Sequence, residues 1–307
     1  MNTFYKGSAI EPLDAFANGA SGTMAFITEV EGPSYRPVGA AMAILARGQR
    51  VGSLSSGCIE ADIALHAAEA EASGTPKAVR YGLGSPFKDI RLPCGGGMDV
   101  LLVPAPDAAT LERACALYAA REAFSLLIDR ETGALDIGEP GRTGWSGARF
   151  HVRFVPEIAF HVFGKGPEAS TFAALACSAG YPVTLLSPDN ETLDAGTAAG
   201  CETRQLTSRS YPDDLSSDSR TAIVLFFHDH DWEPPFLGRA LQSQAFYIGA
   251  QGSKAARYSR NLELRDIGVP ADDLERIKGP VGLVRSARDP RTLAVSVLAE
   301  VLAEQPV

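Results

Sequence analysis

Gly164-Lys-Gly-Pro-Glu-Ala169 decides how the second half of this chain folds. The apolar run Ile158-Ala-Phe-His-Val-Phe163 precedes it, and a helical pattern from 168 to 179 follows. Strand, glycine turn and helix in that order let a backbone come close to a phosphate. The helix start then offers that phosphate unpaired N–H groups and a partial positive charge. Pro167 stands at a first helical position and Gly180 just past the helix end, the asymmetry that marks helix boundaries.

Beyond this turn, strand and helix patterns alternate, with strands expected at 158–163, 183–187, 202–206, 221–227 and 245–248. Alternation of this kind specifies an α/β architecture: a Rossmann-like doubly wound parallel sheet with ligands beyond the carboxyl ends of its strands. A last helix at 292–303 repeats apolar residues at Leu293, Val297 and Val301 and should pack on that sheet. The first half reads as mixed α+β. Helices are expected at 11–18, 58–71 and 108–120, and strands at 23–30, 40–46, 51–55, 98–103 and 124–129. Its connections are dense in glycine. Residues 139–148, rich in Gly and polar side chains, are the best linker candidate, with a long hairpin loop as the alternative. The expected domains are therefore 1–145 and 155–307.

Bulk properties narrow the function. A length of 307 residues favours two domains, and a net charge of −9 with a pI of about 5.1 weighs against a nucleic-acid partner. Residues 251–291 nonetheless carry nine Lys/Arg against six Asp/Glu, a local +3. No run of 18 apolar residues is present, so no membrane span is expected. The opening Met1-Asn-Thr-Phe-Tyr-Lys6 has no signal-peptide core. Five scattered cysteines, an odd number, suit a reduced, cytoplasmic protein.

Four constellations could carry chemistry. In the first, Gly164, Gly166 and Ala169 form the phosphate turn, unless the glycines only permit close packing. Asp189 ends the second strand 25 residues after Gly164, late and behind Pro188, which leans against plain NAD use. The second, His228-Asp-His-Asp231, follows the strongest apolar strand; it could bind a metal, move protons or cap the next helix. The third, Gly249-Ala-Gln-Gly-Ser-Lys254, has Gly252, Ser253 and Lys254 at a helix start, either as a second anion site with Arg257, Arg285 and Arg288 or as a solvated basic helix. The fourth lies in the first half. Cys58 begins a helical pattern, and Cys94 precedes Gly95, Gly96 and Gly97. Cysteines facing exposed N–H groups gain thiolate character. Three ordered glycines cost about 1 kcal/mol each in chain entropy, which is easier to understand if something must approach the backbone closely.

Taken together, Glu31-Gly-Pro-Ser-Tyr-Arg-Pro37 with Gly39, Gly52-Ser-Leu-Ser-Ser-Gly-Cys-Ile-Glu60, Leu92-Pro-Cys-Gly-Gly-Gly-Met-Asp99, the 164–169 turn, His228-Asp-His230, Tyr247-Ile-Gly-Ala-Gln-Gly-Ser-Lys254 and Gly279-Pro-Val-Gly-Leu283 resemble, in this order, the XdhC/CoxI family of xanthine dehydrogenase accessory proteins. The resemblance covers nearly the whole chain. It implies an N-terminal XdhC/CoxI domain, a C-terminal Rossmann domain and a non-enzymatic chaperone. Such a protein binds molybdenum cofactor, protects it while a terminal oxo ligand is exchanged for sulfur, and delivers it to an apo molybdenum hydroxylase of the xanthine dehydrogenase type. The partners implied are that hydroxylase and a cysteine desulfurase; a homodimer is one possible assembly. The cargo is molybdopterin or its cytosine dinucleotide form, and NAD(P) is the alternative ligand of an oxidoreductase reading. Cys94 becomes the candidate for sulfur relay or contact with the cofactor's molybdenum, with Cys58 second. Arg36, Gly95, Gly96, Gly97, Gly164, Gly166, Ala169, His228, Asp229, His230, Gly249, Gly252, Ser253 and Lys254 become cofactor-binding candidates, with the ligand expected in a cleft between the domains.

Overall fold

The structure is a computed structural model and describes residues 8–55, 57–86, 92 and 95–306. Cys94 and Ser56 lie outside the described residues. The chain divides into two compact units, Met1–Pro156 and Glu157–Val307.

Among the described residues, the first unit runs α1 (Glu11–Ala17), β1 (Gly22–Glu31), β2 (Ala41–Leu45), β3 (Arg50–Gly52), α2 (Glu60–Ser73), β4 (Lys77–Gly82), β5 (Gly97–Pro104), α3 (Ala108–Ala119), β6 (Phe124–Asp129), β7 (Leu135–Gly138), β8 (Gly144–Ser146) and β9 (Arg149–Phe154). Antiparallel pairing builds two sheets, ordered β3-β2-β1-β5-β4 and β7-β6-β9-β8. Helix α2 buries Ile63, Ala67 and Ala70 on one face of the first sheet, against Ile27, Val100 and Leu102. It stops at Gly74, whose φ of 67° is the left-handed cap that glycine adopts without penalty. On the opposite face Phe26, Leu101 and Val103 meet Leu13 and Phe16 of α1, Leu111 of α3, and Leu126 and Phe150 of the second sheet.

Residues 139–148 are not a linker. Strand β8 lies within them and pairs with β9, so the boundary expected at 145 falls inside a hairpin. The Gly141 N–H donates to Ser125 Oγ at 2.9 Å, and the Arg153 N–H donates to Thr143 Oγ1 at 3.0 Å. Gly and polar residues serve a tight hairpin as well as a tether, and composition alone does not separate the two.

The second unit alternates: β10 (Ala159–Gly164), α4 (Pro167–Ser178), β11 (Val183–Ser187), α5 (Asn190–Ala198), β12 (Glu202–Gln205), β13 (Thr221–Phe226), a 3-10 turn at His230–Trp232, α6 (Glu233–Ala240), β14 (Tyr247–Ala250), α7 (Lys254–Asp266), α8 (Ala271–Leu274), β15 (Ile277–Lys278) and α9 (Pro290–Ala303). Its strands are parallel in the order β12-β11-β10-β13-β14-β15. Both β10 and β13 are buried at every position, as strands covered on two faces must be. Phe172 of α4 and Leu293 and Val297 of α9 fill one face; Phe236 and Leu237 of α6 and Leu264 of α7 fill the other. The order reverses between β10 and β13, and a doubly wound sheet binds ligands at that reversal. Among the described residues, no helix is long and apolar enough to cross a membrane.

Candidate functional site

Strands β10 and β13 pair Gly164 with Phe226, so the 164–166 turn and the 227–231 loop leave the sheet side by side at the switch point. A Cβ on Gly164 would stand 2.7 Å from the Phe226 carbonyl oxygen and 2.8 Å from Ala169 Cβ. Gly164 and Ala169 therefore let strand and helix close on each other. Gly166 differs: at φ 89° and ψ −169° it takes a conformation reserved for glycine and faces open space, Glu168 Oε2 being the nearest atom at 3.8 Å. Its own N–H donates to Thr192 Oγ1 at 2.9 Å. Among the described residues no side chain caps α4, whereas Asp107, Asp189, Ser253 and Asp289 cap α3, α5, α7 and α9. The first N–H groups of α4 thus remain available to an anion.

Asp189 is occupied. Its Oδ2 accepts from Thr192 N at 3.0 Å and from Thr192 Oγ1 at 2.6 Å, which holds the carboxyl below the usual carboxylate range. An acid with one oxygen tied into a helix cap cannot receive two ribose hydroxyls on two oxygens, so the structure gives a reason for the departure from the NAD pattern.

In the adjacent loop, His228 Nε2 lies 3.3 Å from Glu168 Oε2, an ion pair when the imidazole is protonated. Asp229 and Asp231 both pair with Arg209, at 3.6 and 3.3 Å, and the Arg209 guanidinium stands 5.5 Å over the Trp232 ring. His230 opens the 3-10 turn. Among the described residues no group of three His, Cys, Asp or Glu is arranged to hold a metal. The third constellation follows β14. Gly249 belongs to the strand, where a Cβ would collide with the Tyr247 ring at 2.6 Å. Gly252 has φ 135°, Ser253 Oγ already accepts the Ala256 N–H at 3.1 Å, and Lys254 is exposed. Arg257 reaches the Gly279 carbonyl at 2.9 Å, while Arg260 is buried against Glu233 at 2.8 Å. The basic helix is therefore partly a scaffold.

In the first unit, Cys58 is exposed and precedes α2 by two residues rather than opening it. The turn before it is organised by Glu60, which sequence reasoning passed over as a site residue. Glu60 Oε1 accepts from Ser53 Oγ (2.8 Å), Leu54 N (3.2 Å) and Ser55 N (2.8 Å). Its Oε2 accepts from Ser55 Oγ (2.6 Å), Gly57 N (2.9 Å) and Ile59 N (3.2 Å). Burial alone would raise this carboxyl; the Ser55, Ser53 and Gly57 donors outweigh it and lower the pKa from 4.5 to about 2. The signal available was an acid at the first helical position after a Ser/Gly turn.

The glycines at 95–97 separate in role. A Cβ on Gly96 would stand 2.3 Å from the Pro33 carbonyl oxygen, and one on Gly97 2.8 Å from that of Leu83. What approaches these two glycines closely is the chain's own backbone. Gly95, at φ 72°, has nothing among the described residues within 4 Å of a Cβ position. Arg36 lines a hollow of about 250 Å³ with Gly39, Gly52, Ser53, Thr143 and Arg153, all of this unit. Among the described residues, neither Arg36 nor Arg153 forms a salt bridge.

Comparison with known proteins gives concordant matches. The XdhC and CoxI family matches residues 15–82, and the XdhC Rossmann domain matches residues 160–301. The Molybdenum cofactor insertion chaperone PaoD of Escherichia coli (strain K12) is 33% identical over 290 residues, covering 94% of this chain and 85% of that protein. A probable xanthine dehydrogenase subunit of Bacillus subtilis (strain 168) is 25% identical over 314 residues, covering 91% of this chain and 92% of that protein. A crystal structure described as a xanthine dehydrogenase from Bacillus halodurans superposes with a TM-score of 0.78 at 23% identity, covering 97% of this chain and 95% of that one; at this identity the likeness is one of fold.

Proposed function

We propose a function from the premise that the chain belongs to the XdhC and CoxI family: it is an accessory protein that binds molybdenum cofactor and delivers it to an apo molybdenum hydroxylase of the xanthine dehydrogenase type. The observation that carries this reading is the near full-length similarity to a relative named as a molybdenum cofactor insertion chaperone. During the hold, the cofactor's terminal oxo ligand is exchanged for sulfur that a cysteine desulfurase supplies. The cargo's phosphate, or the pyrophosphate of its cytosine dinucleotide form, meets the uncapped start of α4 beside Gly166, where N–H groups and helix dipole favour an anion. In the first unit, Arg36 offers a cation outside any salt bridge among the described residues. Cys94 and Cys58 are the candidate soft ligands, since molybdenum with sulfur ligands accepts thiolate. Tight binding is not the aim, because a carrier must release what it holds. The second reading, a nicotinamide-dependent oxidoreductase, is disfavoured by the commitment of Asp189 to its cap.

Mass spectrometry of small molecules released from protein purified without oxygen tests the reading. Molybdopterin or its dinucleotide form is the expected species. Absence of any pterin, together with micromolar binding of NAD(H) or NADP(H) in calorimetric titration, would overturn it in favour of the oxidoreductase.

A further inference from the structure

We propose that Glu60 is a positioning residue for the first unit's site: its buried carboxylate holds residues 53–55 and 57–59 so that exposed Cys58 and Ser53, a wall residue of the Arg36 hollow, move as one piece. The role assigned to Cys58 rests on the sulfur-handling reading above; the positioning does not.

The argument begins with donor count. All six described contacts of Glu60 are N–H or O–H donors. Only an acceptor-only side chain satisfies six donors, and glutamine would turn an NH₂ against them. Glu60 is 4% exposed, and among the described residues no Lys or Arg pairs with it. Its charge is balanced by the turn's own dipoles and by the start of α2, where it sits at the first position. Ordinary helix capping needs one such contact; here Leu54, Ser55, Gly57 and Ile59 all turn their N–H groups inward. Ser55 Oγ completes the device by accepting the Cys58 N–H at 3.0 Å and the Ile59 N–H at 3.1 Å. Cys58 itself is exposed. At the other end of the turn, the Ser53 hydroxyl that donates to Glu60 belongs to a residue lining the hollow with Arg36. One carboxylate thus links a candidate anion site to a candidate thiol.

The test uses the full chain and three readouts. Hydrogen exchange followed by mass spectrometry should show the described amides of 53–55 and 57–59 exchanging at least about tenfold faster in Glu60→Gln than in the wild type, the effect of losing about 1.4 kcal/mol or more of local protection. Alkylation of Cys58 by iodoacetamide should change at least about threefold in the same variant, in step with that loss of local order. In reconstitution of an apo-hydroxylase, Glu60→Gln should reproduce the loss seen with Cys58→Ala, and the double variant should be no worse than Cys58→Ala alone. Exchange and alkylation unchanged in Glu60→Gln would overturn the proposal, as would a double variant that loses markedly more than Cys58→Ala. If Cys58→Ala reconstitutes normally while exchange rises in Glu60→Gln, the relay reading of Cys58 fails and the positioning stands. Should Glu60→Gln not fold, Ser55→Ala decides: the 58 amide must exchange at least about fivefold faster, because it loses its acceptor, while the 59 amide, which keeps Glu60 Oε2, must change less.

Discussion

Two of the glycine-bearing turns that lead into helices, 53–59 and 164–168, treat their own acidic residue in opposite ways. In the 53–59 turn Glu60 curls back and receives six donors, so the described N–H groups that could greet an anion already have an acceptor. In the 164–168 turn the corresponding acid, Glu168, leans out to His228 and leaves α4 uncapped. The first turn is an anion nest filled from within, and the second is one left open. A glycine-rich helix start is therefore not by itself a ligand site; what its nearest carboxylate does decides the matter.

The same substitution made in both turns probes this contrast. Glu60→Gln should have the largest effect. A carboxyl held at about 2 instead of 4.5 corresponds to about 3 kcal/mol of stability. Because the folded value is depressed, that contribution is present above pH about 4.5 and is lost as pH falls toward 2. Urea unfolding should show the gap between wild type and Glu60→Gln at full size at pH 7 and shrinking below pH about 4.5. Gly166→Ala comes next, costing about 2 kcal/mol through backbone strain alone, since none of the described atoms crowds the new methyl. Equilibrium unfolding at pH 7 measures it. Glu168→Gln should change stability by less than about 0.5 kcal/mol, because its partner His228 is 66% exposed. If Glu168→Gln cost as much as Glu60→Gln in the same urea series, the distinction between a filled and an open turn would collapse.

Much of the second unit was legible in the sequence because its strands are continuous apolar runs. The expected segments 158–163, 183–187 and 221–227 match β10, β11 and β13 within a residue at each end. Strand β15 was missed: two residues between Arg276 and Gly279 give no period to read. In the first unit β4 escaped notice because Lys77 and Arg80 break up an apolar pattern that Val79 and Tyr81 carry alone. The roles of the glycines were legible only in part. Sequence marks Gly96 and Gly95 alike, yet one faces the Pro33 carbonyl and the other faces none of the described residues, a difference set by a chain segment far away in sequence. Glu60 was hidden for a related reason. A carboxylate at a helix start reads as solvated, and only the path of the preceding turn folds it beneath its own backbone.

The cap that Asp189 makes has a consequence for any attempt to retarget this fold. The acid at the tip of the second strand cannot give both its oxygens to a ribose without releasing α5, whose first turn depends on Oδ2 through Thr192, and Thr192 in turn receives the Gly166 N–H. Giving the unit a two-oxygen grip on a ribose is thus a problem of two linked changes, a new helix anchor and a freed carboxylate, and a substitution that makes only one of them leaves the sugar held by Oδ1 alone.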